Sequence, residues 1–186
     1  MRLRRQNKKR MAEAAHSEAE QAASQLQHHL QTGGELTPIH VPDLALDDGE
    51  TAYADVLCTT ARYYGTEIVY PHAPAGYFKD HPTFGRRWVP NHRLNNRRRH
   101  EAEAEAQERW RDHAPARVVL TSDGLRIHPE GSPPRWLPFD HALLNNVSFR
   151  SGVLEVVLSY NVCAPILLAG PAAPWLRVAI EHIARI

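Results

Sequence analysis

From Ala116 to the end of the chain, turn signals recur so closely that only short strands fit between them. Ser122-Asp123-Gly124 separates 116–121 from 125–128, the short glycine-containing connection of a β-hairpin. Residues 130–134 form the next turn, and 135–139 is a short strand whose Pro138 suits an edge, because proline cannot donate to a ladder. A second hairpin joins 145–149 to 153–160 across Arg150-Ser151-Gly152, and 165–169 supplies another strand. Pro174 then opens a helix, where its fixed φ suits the first turn. That helix sets Trp175, Leu176, Ala179, Ile180 and Ile183 on one face, with Arg177, Glu181 and Arg185 off it. Together these predict an α+β fold, a small β-barrel or curled antiparallel sheet closed by a C-terminal amphipathic helix.

The chain before Pro115 is less regular. Residues 1–10 carry six Lys or Arg and no acid, which reads as a solvated basic arm, or as an arm that touches phosphates. Residues 11–31 are rich in Ala, Glu and Gln and free of Gly and Pro, so they predict a helix. Its narrow stripe is Met11, Ala15, Ala19, Ala22, Leu26 and Leu30, mostly alanine, so it needs a partner surface. Thr32-Gly33-Gly34 stops it, and 36–50, with two prolines and an acidic run, reads as a linker. Residues 51–64 favour strand. Residues 66–96 are irregular, with scattered prolines and aromatics, and 97–113 reads as a second helix anchored by Trp110. The organisation expected is a basic arm and helix over 1–35, a linker over 36–50, and a domain over 51–186 with an insertion at about 66–115.

Composition removes several function classes. Two cysteines among 186 residues argue against a disulfide framework, and no stretch of 18 apolar residues suggests a membrane span. A secretory signal has no apolar core to work with here, so a cytoplasmic protein is expected. The twelve histidines include no H-x-x-x-H pair, and there is no C-x-x-C, so neither a metal nor a cofactor is expected. There is no nucleophile elbow and no glycine loop to cradle phosphate. Asp140-His141 are neighbours on a strand, so they face opposite ways and read as surface residues rather than a catalytic pair. No catalytic residue is assigned.

The pattern formed by VVLTSDGLRIH (118–128), RWLPFDHALLNNVSF (135–149), VLEVVLSY (153–160) and the helix from Pro174 resembles the pleckstrin-homology-like superfold, in the form found in bacterial PH-like and GRAM-like domains. The resemblance covers about residues 116–186, with 51–64 as opening strands and 66–115 as an insertion between early strands. It implies a non-enzymatic interaction or scaffold module that binds a protein partner or self-associates.

The strongest local signal lies in the insertion: Arg86, Arg87, Arg93, Arg97, Arg98 and Arg99, interleaved with Trp88, Asn91 and His92. Guanidinium forks match phosphate geometry, and a nearby ring can stack on a base or on a guanidinium. These six are the candidate anion-binding residues, and they point to the alternative function, binding of nucleic acid or an anionic membrane. The bland alternative is that they are hydrated, or paired with the acids of 101–108 and Asp112.

Overall fold

A computed structural model describes residues 2–131, 135–150 and 152–185. The elements in chain order are α1 (Arg2–Gln31), β1 (Ala52–Tyr64), β2 (Gly76–His81), β3 (Gly85–Pro90), α2 (His92–Ala106), β4 (Arg109–Thr121), β5 (Gly124–Pro129), β6 (Leu137–Asp140), β7 (Leu144–Arg150), β8 (Glu155–Tyr160), β9 (Ile166–Ala169) and α3 (Ala173–Ala184). A 3-10 turn, His141–Leu143, links β6 to β7. The chain divides into two compact units, Tyr64–Arg109 and the residues on either side of it. Among the described residues, no helix is long and apolar enough to cross a membrane.

The larger unit is an α+β body built on one seven-stranded antiparallel sheet, in the order β6-β5-β4-β1-β9-β8-β7. Of the two forms expected, barrel or curled sheet, the barrel is not formed: among the described residues the outer strands β6 and β7 are not hydrogen-bonded to each other. The sheet is nevertheless curled. Phe139 on β6 and Tyr160 on β8 have ring centroids 5.6 Å apart, although their strands lie five places apart in the order. A flat sheet would separate them by about 24 Å.

Alternation along the strands explains what the curl encloses. Val118 and Leu120 on β4, Leu125 and Ile127 on β5, Val156 and Leu158 on β8, and Ile166 and Leu168 on β9 all enter one core. On β7 a bulge shifts the register between Leu144 and Asn146. That extra residue lets Leu144, Val147 and Phe149 all turn inward despite their odd spacing. Leu176, Ala179 and Ile180 of α3 complete the core, and α1 packs on α3 with Ala19 and Ala23 buried.

Several expectations need correction here. Helix α1 begins at Arg2, so residues 2–10 are helical backbone rather than a tail. Arg, Lys and Gln are nearly as good helix formers as Ala, and they continue a helix already seated on α3. Its stripe runs through Ala19, Ala23, Leu26 and Leu30, while Met11 and Ala22 are exposed. Residues 36–50 are not a free linker. Val41 and Leu44 are buried with Val119 on the outer face of the sheet, and Ile39 pairs with Ala52. Residues 109–113 belong to β4, not to a helix, and Trp110 stacks edge-on against Tyr63 of β1 at 5.3 Å. The 66–96 stretch contains the β2–β3 hairpin and the start of α2. The turn at 130–134 falls partly on 132–134, outside the described residues, as does Ser151 of the second hairpin turn.

The covering segment is held by charge as well as by apolar contact. Arg117 grips Asp55 with two bonds of 2.8 and 2.6 Å and also pairs with Asp43. Arg126 lies between Glu50 (2.7 Å) and Asp140 (3.2 Å). Burial pushes the Glu50 carboxyl up, but the Thr121 hydroxyl, the Asp47 N–H and Arg126 pull it further down, and it ends below the ordinary carboxylate range.

His141 sits at the end of this network. Its Nε2 lies 3.3 Å from the Thr121 carbonyl, and its buried Nδ1 has no hydrogen-bond partner. Burial therefore holds its pKa below the ordinary 6.5, against the pull of Asp123 and Asp140. The folded state favours the neutral ring, so the unfolded chain takes the proton first as pH falls. The His141 contribution is complete above about pH 6.5 and is lost below it, at no more than about 1.4 kcal/mol per pH unit. Urea midpoints should fall between about pH 7.5 and 5.5 in the wild type, and less steeply in His141→Gln. Parallel slopes would show that the ring titrates freely.

Candidate functional site

The Tyr64–Arg109 unit differs from the body in one physical respect: none of its side chains is fully buried. Ile68, Val69, Tyr70, Tyr77, Phe78, Phe84 and Trp88 are all largely exposed. What order it has comes from local pairing. In the β2–β3 hairpin Phe78 faces Trp88 across the strands, edge to face at 5.3 Å. Gly76 makes room for this arrangement, since a Cβ there would run into the Trp88 indole and the Val89 carbonyl. Gly85 closes the hairpin with φ +65°, which costs glycine nothing. An isolated two-stranded ribbon is marginal in water.

A carboxamide clip joins the hairpin to α2. Asn91 caps the helix by accepting from the Leu94 N–H at 3.0 Å. Asn95 accepts from the Ala75 N–H at 2.7 Å and donates to the Ala75 carbonyl at 3.0 Å. Because the helix starts at His92, Arg97–Arg99 lie in its middle, not at its N-terminus.

All six sequence-predicted arginines fall in this unit, and all are exposed. Arg86 and Arg87 are on β3, and Arg93, Arg97, Arg98 and Arg99 are on α2. Arg97 pairs with Glu101 at 2.7 Å, Arg86 lies over the Phe78 ring at 4.7 Å, and Arg99 lies over Tyr70 at 5.6 Å. Internal pairing with a carboxylate is therefore realised for Arg97, whereas Arg87, Arg93 and Arg98 have no acidic partner among the described residues.

Charge is also sorted along the unit. Residues 76–99 hold seven Lys and Arg against one acid, Asp80, and the glutamates come afterwards at 101, 103, 105 and 108. On α2 this puts Arg93 in the first turn and Glu103 and Glu105 in the last, against the macrodipole at both ends. On the hairpin Lys79 stands directly across from Arg87, a like-charge pair that works against the strands. Arg93 at the start of α2 and the Lys79–Arg87 pair cost stability in the free protein, and a bound anion would relieve both.

One residue the sequence did not single out joins the site. Tyr70 forms a cavity of about 330 Å³ with Pro71, Ala73, Pro74, Asn95, Asn96, Arg98 and Arg99. Its hydroxyl donates to Glu103 Oε1 at 3.4 Å, which orients the ring. The signal available in sequence was an aromatic residue leading a proline-broken run, but its approach to α2 is a property of the fold.

The Asp140 carboxylate is engaged by Arg126, and His29 contacts the Glu35 carbonyl at 3.2 Å. Cys58 is buried with its thiol pushed up to about 11, and Cys163 is likewise unbridged. Among the described residues, no group of three or more His, Cys, Asp or Glu is placed to hold a metal ion. No protein-family model, curated protein or solved structure matches the chain.

Proposed function

We propose that this chain is a non-enzymatic, PH-like interaction module whose working surface is the Tyr64–Arg109 unit, and that this surface takes a phosphate-bearing polyanion. The observation that carries the reading is a set of six exposed arginines, of which Arg87, Arg93 and Arg98 have no acidic partner among the described residues, on a unit with no buried side chain of its own. The PH-like part rests on the curled antiparallel sheet with a C-terminal helix in its core.

The test uses the full chain. Binding to phosphatidylserine vesicles, to single-stranded oligonucleotide and to inorganic polyphosphate is measured at about 50 and 200 mM salt, where counterion release makes phosphate binding fall steeply. An Arg97→Ala/Arg98→Ala/Arg99→Ala variant runs beside the wild type. The expected result is salt-steep binding to at least one of these probes, weakened about tenfold or more in the variant. No binding at low salt, or equal binding by the variant, would reject the reading and leave the exposed aromatics to a protein partner or a second copy.

A further inference from the structure

We infer that the polyanion is single-stranded nucleic acid, and that one base enters the cavity between Tyr70 and Arg98–Arg99; this rests on the reading just proposed.

The cavity suits a base better than a bare phosphate. At about 330 Å³ it lies at the small end of ligand pockets, with room for a planar ring and part of its sugar. Pro71, Ala73 and Pro74 supply a stiff apolar wall, and Tyr70 supplies a ring face already approached by the Arg99 guanidinium. The Asn95 carboxamide is spent on Ala75, but Asn96 is exposed beside it and can offer both a donor and an acceptor to a base edge. Arg98 has no acidic partner and is free to meet the adjoining phosphate. Beyond this cavity, Arg86, Arg87, Phe78 and Trp88 repeat the pairing of cation and exposed ring on the hairpin. Alternating stacking surfaces and guanidinium groups follow a strand whose bases are unpaired.

The same residues argue against a membrane. Insertion at a lipid interface needs one apolar face with the charges kept to the other. The hairpin register puts Tyr77, Lys79, Arg87 and Val89 on one face and Phe78, Asp80, Arg86 and Trp88 on the other, so neither face is apolar.

The experiment measures anisotropy of labelled oligothymidylate and oligouridylate, with a duplex of equal length, polyphosphate and phosphatidylserine vesicles in parallel. Single strands should bind more tightly than the duplex. Tyr70→Ala should weaken single-strand binding about fivefold or more, while Tyr70→Phe retains it. Polyphosphate binding should be unchanged in Tyr70→Ala, which also shows that the unit remains folded. Arg98→Gln, which breaks no internal ion pair, should weaken both. Three outcomes would overturn the inference while leaving the polyanion reading intact: undiminished oligonucleotide binding by Tyr70→Ala, polyphosphate bound as tightly as the oligonucleotides, or vesicles bound where oligonucleotides are not. Absence of binding to every probe would overturn both.

Discussion

Arg126→Ala is expected to destabilise the protein by about 3–5 kcal/mol, because it strands a buried carboxylate. The Glu50 side chain has no solvent exposure, and its Oε1 lies 2.7 Å from the Arg126 guanidinium. Arg126 is itself only 10% exposed at its side chain, held under residues 36–50 on the outer face of β5. Removing it leaves Glu50 with the Thr121 hydroxyl and the Asp47 N–H, which do not neutralise a full charge. Asp140, at 3.2 Å on the other side, loses its partner too. Urea denaturation measures the loss. Replacing Glu50 and Arg126 together with apolar residues of similar size should cost much less, and the cycle isolates their coupling. A cost below about 1 kcal/mol for the single change would mean that water reaches Glu50 and that the segment is held by Val41 and Leu44 instead.

Leu176→Ala is the second large effect, about 2–5 kcal/mol. Leu176 has no exposed surface and enters the core shared by the strands of the curled sheet. Helix α3 also carries Val178 and contacts α1, so it cannot move inward to fill the cavity without losing that contact. The same denaturation experiment decides. A loss under about 1 kcal/mol would show that α3 re-seats freely and that the sheet does not depend on it.

Much of the body was legible because its signals are local. Asp123-Gly124 placed the β4–β5 hairpin, Pro138 marked β6 as an outer strand, and the apolar face of α3 was readable from Leu176 to Ile183. The failures come where a distant contact overrides a local preference. Arg109–His113 continues a helix-forming run of Ala and Glu, yet it becomes strand because β1 offers a ladder. The β2–β3 hairpin was invisible because both its faces are exposed, so aromatic and charged residues do not alternate. Residues 36–50 looked like a linker because their apolar residues are few, and only the sheet face carrying Val119 shows what Val41 and Leu44 cover. At the site, the arginines could be read as a cluster, since each is exposed and close in sequence. Tyr70 could not, because its place depends on the 70–74 segment returning to α2.

The most direct measurement of the central claim is the salt slope of oligothymidylate binding for the full chain and for Arg87→Ala/Arg93→Ala/Arg98→Ala. Those three arginines have no acidic partner, so their removal breaks no internal ion pair. If each meets a phosphate, the slope of log affinity against log salt should become shallower by about 2 in the variant. A slope unchanged by the three replacements would contradict the account and move any anion site away from the Tyr64–Arg109 unit.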